Sequence, residues 1–156
     1  MTLRPAHSQR LPRVVERVRR TVELVLARGG PVVAAPATRG SDVGLPVRVQ
    51  LPLQSPEIRR LRQWCVTTPG VSIDWRRRPV HGDDHHLRFE LVLRDGITAP
   101  GCLRPFLLGL RQLETIGKLE RELEETNQGV LALYSETLGQ RLEAGEASRR
   151  LADLNA

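Results

Sequence analysis

Six consecutive residues, His81-Gly82-Asp83-Asp84-His85-His86, gather imidazole and carboxylate groups, the donors that hold zinc or another divalent cation. The same residue types are what a tight turn needs, since glycine and aspartate supply its backbone angles. Where a strand starts at His85, adjacent histidines also point to opposite faces. The segment therefore reads as a hairpin turn, and no metal ligand is assigned. A second constellation is basic. Arg59, Arg60 and Arg62 precede Arg76-Arg77-Arg78, with Trp64 and Trp75 nearby for stacking. Such a face suits nucleic acid, but it also describes a solvated helix side and strand end. Arg59, Arg60, Arg76, Arg77 and Arg78 are taken as a candidate grip on an anionic ligand or an acidic partner. Cys65 and Cys102 lack a Cys-x-x-Cys spacing and read as small buried hydrophobes. There is no nucleophile elbow and no glycine-rich phosphate loop. No catalytic residue and no cofactor site are assigned.

The elements that would position these residues belong to a chain of 156 residues, 40% hydrophobic and 27% charged, a globular composition. No run approaches the roughly 20 apolar residues that span a bilayer. The first 20 residues are Arg-rich but have neither an apolar core nor a cleavage site of a secretory signal. A cytoplasmic protein without membrane contact is expected. The net charge of +6 is almost all arginine, with Lys118 the single lysine among 24 basic residues. Nucleic-acid binders usually mix the two, so this bias resembles that of a GC-rich genome. The charge is also uneven: +5 over residues 1–30, +3 over 31–100 and −2 over 101–156. A basic front and a slightly acidic back suggest two units.

After a flexible stretch over 1–11, Val14, Val15, Val18, Val22, Val25 and Leu26 recur at three- and four-residue spacing and predict a helix over 12–28, stopped by Gly29-Gly30. Residues 31–35 form a short apolar run, and 37–44 read as a loop. Val47, Val49, Leu51 and Leu53 alternate with polar neighbours and predict a strand. Ser55-Pro56 opens a helix through Ile58, Leu61, Trp64 and Cys65, ended by Pro69-Gly70. Val71, Ile73 and Trp75, then Leu87, Phe89, Leu91 and Leu93, predict an antiparallel hairpin with one buried face. The fold class expected over 12–98 is α+β: a βαββ half of a ferredoxin-like sandwich, preceded by a helix. Three strands are evident, and a fourth would have to be 31–35.

Over 102–156 the pattern becomes one long helix. Steps at 116, 119, 123, 126, 130, 133 and 137 alternate three and four, the rhythm of a coiled coil. Thr126 and Thr137 weaken two seam positions, and Gly109, Gly117, Gly129, Gly139 and Gly145 each cost about 1 kcal/mol against alanine. Within this helix, Leu123-Glu124-Glu125-Thr126-Asn127-Gln128-Gly129-Val130-Leu131-Ala132-Leu133-Tyr134-Ser135-Glu136 resembles the coiled-coil linker of actinobacterial-type sensor histidine kinases and serine phosphatases. The resemblance covers about a tenth of the chain. It implies a parallel pair of helices carrying a signal between a regulatory module and an output domain, and it transfers no catalytic residue. All four histidines precede the coil, and no phospho-accepting histidine or nucleotide box follows it. A sensor that has lost its output domain, an excised piece or a stand-alone regulator would fit.

The expectation is a non-catalytic regulatory or scaffold protein of a bacterial signal-transduction system. Ile116, Leu119, Leu123, Val130, Leu133 and Tyr134 would hold a homodimer, or recruit the coil of a histidine kinase or phosphatase. An Arg-rich nucleic-acid-binding module and a helical subunit of a larger assembly are the alternatives.

Overall fold

The computed structural model describes residues 10–75 and 86–156. It divides into two units, 1–118 and 119–156. The expected fraying of the first nine residues, and all of the Pro79–His86 turn except His86, lie outside the described residues.

In the first unit, α1 (Arg10–Val25) carries its valines on one buried side. A short 3-10 turn, Ala27–Gly29, ends this segment, and Gly30 takes a left-handed cap with φ 57°. Gly29 has its own reason to be glycine. A Cβ there would run into the side chains of Val49 and Leu51, and its carbonyl accepts the Gln50 N–H at 2.9 Å.

Five antiparallel strands follow. β1 (Val32–Val33), β2 (Ala37–Arg39), β3 (Asp42–Val49), β4 (Val71–Trp75) and β5 (Leu87–Leu93) form one sheet in the order β1-β3-β5-β4, with β2 also paired to β3. The expected fourth strand is real but only two residues long. The segment 37–44, read as a loop, instead makes a hairpin: Arg39 pairs with Asp42 across the two-residue turn Gly40-Ser41. Gly40 sits at φ 64°, the angle such a turn demands of its first central residue. The strand expected from Val47 to Leu53 lies earlier. Pairing stops at Val49 because the chain turns at Pro52, whose carbonyl accepts the Ser55 N–H at 2.9 Å. Leu51 is buried, but Leu53 is exposed.

α2 (Pro56–Thr67) begins at Ser55 as expected, yet the Ser55 hydroxyl makes no capping hydrogen bond. The start is set by Pro56 at the first turn and by the Arg59 N–H donating to the Ser55 carbonyl at 3.0 Å. α2 connects β3 to β4, and β5 lies between them, antiparallel to both. This is the split βαβ arrangement of a ferredoxin-like half.

Register explains the core. Leu45, Leu91 and Ile73 stand in one row across β3, β5 and β4, and Val47, Phe89 and Trp75 stand in the next. Alternation puts all six on one face. That face meets Val18 and Val22 of α1 and Ile58, Leu61 and Trp64 of α2. It also meets Phe106, Leu110 and Leu113, from the start of α3 (Leu103–Leu154). Two of the helix glycines serve close approach. A Cβ at Gly117 would lie 3.2 Å from Val25 Cγ2, and one at Gly109 would press on the Thr68 hydroxyl at 2.7 Å. The molecule is thus α+β, with an antiparallel sheet, a preceding helix and a long C-terminal helix.

Candidate functional site

The second unit consists of residues 119–156 and contains the rest of α3. Leu119, Leu123, Val130, Leu133 and Tyr134 are between 59% and 68% exposed, and Ile116, just before it, is 43% exposed. All six are hydrophobic side chains left open to water. Isolated apolar residues at a surface are ordinary, whereas a contiguous stripe over several turns marks an interaction surface.

The two seam threonines fit that stripe better than their polarity suggests. Thr126 Oγ1 donates to the Glu122 carbonyl at 2.8 Å, and Thr137 Oγ1 donates to the Leu133 carbonyl at 2.9 Å. Each hydroxyl is satisfied within its own helix. Leu131, Leu138 and Leu142 are also exposed, and the heptad steps do not include them. With Tyr134 they make a second stripe, at spacings of three, four and four. That spacing was visible in the sequence, but a two-residue-per-heptad template passes over it.

Of the basic constellation, the described arginines, Arg59, Arg60 and Arg62, all lie on α2. Arg76, Arg77 and Arg78 lie outside the described residues. Arg59 is exposed on α2 and donates to the Gln54 carbonyl at 3.2 Å, while Arg60 is half-buried. Trp64, considered for stacking on a nucleobase, is only 4% exposed and packs on Phe106 with ring centres 5.9 Å apart. Trp75 lies against Phe89 at 5.1 Å, and the Arg62 guanidinium covers it at 5.9 Å. Other arginines are engaged with acids: Arg28 with Glu57 at 2.8 Å and Arg19 with Glu23 at 2.6 Å. Of the His81–His86 cluster only His86 is described, with its Nε2 3.1 Å from Gln50 Nε2.

One charged cluster was not anticipated. On the sheet face away from the helices, Arg39 reaches Asp74 at 2.9 Å and Glu90 at 3.0 Å. Glu90 is 1% exposed, and its carboxylate lies over Gly44, where any Cβ would collide with it. The alternation of β5 marks Glu90 as outward-facing. Its ion pair with Arg39 could not be read ahead, because β2 had no strand signature.

The cysteines differ from expectation in one respect. Cys65 is half-buried against the core, and its burial pushes the thiol up to about 12. Cys102 is exposed rather than buried, because it lies in the turn before α3 instead of on its buried side.

No protein-family model matches the chain, and no curated protein or solved structure matches it. Among the described residues, no helix is long and apolar enough to cross a membrane.

Proposed function

We propose that this chain is a non-catalytic regulatory or scaffold protein of a bacterial signal-transduction system, acting in the cytoplasm. Its α+β unit docks or senses, and its C-terminal helix makes a homodimer that can also receive the coil of a histidine kinase or phosphatase. One observation carries the reading: the heptad stripe from Ile116 to Tyr134 is solvent-exposed on a helix that runs to Leu154. The resemblance of residues 123–136 to a signalling linker supports the context. The Arg-rich nucleic-acid reading has less support, since Trp64 is buried and Trp75 is capped by Arg62.

Replacing both Leu123 and Val130 with Asp puts a charge into two layers of the seam, one heptad apart. Light scattering should give a multiple of the 17.5 kDa chain mass for the unaltered protein, and the single-chain mass for the double variant. A wild-type chain that runs as a monomer at micromolar concentration sinks the proposal.

A further inference from the structure

The helix α1 carries a charge pattern that its own folding does not explain. Its valines face the core, and its fully exposed positions are Arg10, Pro12, Arg13, Arg17 and Arg20. Steps of three, four and three place the four arginines on one side of the helix, over about 15 Å of its length. Each neighbouring pair sets like charges at a spacing that destabilises a helix. The first turn holds Arg10 and Arg13 and no acid, while the last turn holds Glu23 and no cation. That order opposes the helix dipole at both ends. No acid precedes Glu16 in the sequence.

Neighbouring acids offset only part of the stripe. Glu16 accepts from Arg20 at 3.0 Å but is shared with Arg19, which holds it at 2.7 Å. Glu114 of α3 lies 3.6 Å from Arg17 and is held closer by Lys118, at 2.9 Å. Among the described residues, Arg10 and Arg13 have no ion-pair partner. Residues 1–118 as a whole carry +10, against −4 for 119–156.

The composition of this face selects its occupant. A protein–protein interface needs an apolar centre, and the exposed side of α1 offers none beyond Pro12. Insertion into a lipid surface needs an apolar helix face, and that of α1 is buried. Single-stranded nucleic acid stacks on exposed aromatic rings, but Trp64 is buried and Trp75 lies under Arg62. The phosphate backbone of a duplex needs only a row of cations. Guanidinium groups suit it, since their planar forks match phosphate oxygens.

We infer that the arginine stripe of α1 binds the phosphate backbone of double-stranded nucleic acid without reading its bases. The contact belongs to the first unit, so it is independent of the seam dimer, and it is separate from the basic constellation over 59–78.

The test uses the full chain with fluorescein-labelled duplexes of ~20 base pairs, DNA and RNA, each in two unrelated sequences. Anisotropy titrations run between about 50 and 200 mM salt, where phosphate contacts weaken steeply. The wild type should bind both sequences alike. On DNA, log affinity should fall against log salt with a slope of about −3 to −4, as for roughly four phosphates. Arg10→Gln with Arg13→Gln should weaken binding at least ~tenfold at the lower salt and flatten the slope by about two. The same variant should melt at a higher temperature, since two repelling charges leave the first turn. Lost binding then cannot be lost folding. Arg149→Gln with Arg150→Gln removes equal charge from the second unit and should leave binding unchanged. Tighter binding of one duplex type supports the inference and names the source of the phosphates. No binding at the lower salt, or binding indifferent to salt, overturns it. So does an equal loss in the Arg149 and Arg150 variant, or equal capture of the wild type by a polyglutamate peptide or anionic vesicles.

Discussion

Glu90 is held under Arg39 on the sheet face away from the helices, and a nearly inaccessible carboxylate depends on the donors that reach it. Replacing Arg39 with Met keeps the aliphatic stem but removes the guanidinium. The cost should be about 2 kcal/mol, the scale of a hydrogen bond to a charged group, read as a lower urea midpoint with unchanged slope. A change under a few tenths of that would mean Arg39 is a surface ornament. The thiols invite a second experiment. Burial pushes Cys65 up to about 12, so its reactive thiolate is scarce at every pH below that, while Cys102 lies in the open. Iodoacetamide at pH 8 should label Cys102 first and Cys65 only on unfolding. Raising the pH toward 12 should accelerate Cys65. Equal labelling of both in the folded protein would contradict this assignment.

At the scale of elements, the glycines of α3 divide into two kinds. Gly109 and Gly117 stand where neighbouring side chains crowd the helix. Gly129 and Gly139 have open space where a Cβ would be added, and they lie off both apolar stripes. Gly129→Ala and Gly139→Ala should each stabilise the helical assembly by about 1 kcal/mol, measured as a raised melting midpoint at fixed protein concentration. Gly117→Ala should bring no such gain. This division also shows what could be read beforehand. Strict alternation at Leu87, Phe89, Leu91 and Leu93 was enough to place β5 and its buried face. β2 was missed because Ala37-Thr38-Arg39 is too short and polar to alternate, and only its pairing to Val43 and Gly44 makes it a strand. β3 was placed late because Leu51 and Leu53 prolong the alternation past the turn at Pro52. The long helix of the C-terminal region was legible from its three- and four-residue steps. The Arg39–Glu90 pair was not, because it joins two strands that are not neighbours in the sheet.

For the whole molecule, the division at Lys118 predicts unequal independence. The buried hydrophobic core ends at Leu113, so a chain of residues 1–118 should fold as a monomer with a cooperative thermal transition. Residues 119–156 alone should behave differently. Short isolated helices are marginal in water, so this peptide should gain helicity as its concentration rises. A peptide equally helical at every dilution, or a 1–118 fragment without cooperative melting, would refute the division.

The aromatic residues fall on either side of the same division. Trp64 and Trp75, the two indoles of the chain, both sit in the first unit, Trp64 against Phe106 and Trp75 against Phe89. Tyr134, its one tyrosine, sits in the second, on the helix face proposed to meet another copy. The molecule therefore carries built-in labels. Red-edge excitation, which only indoles absorb, follows the α+β unit, and the single phenol ring, read by its own NMR signals, follows the second unit, so folding and association can be timed separately in unmodified protein.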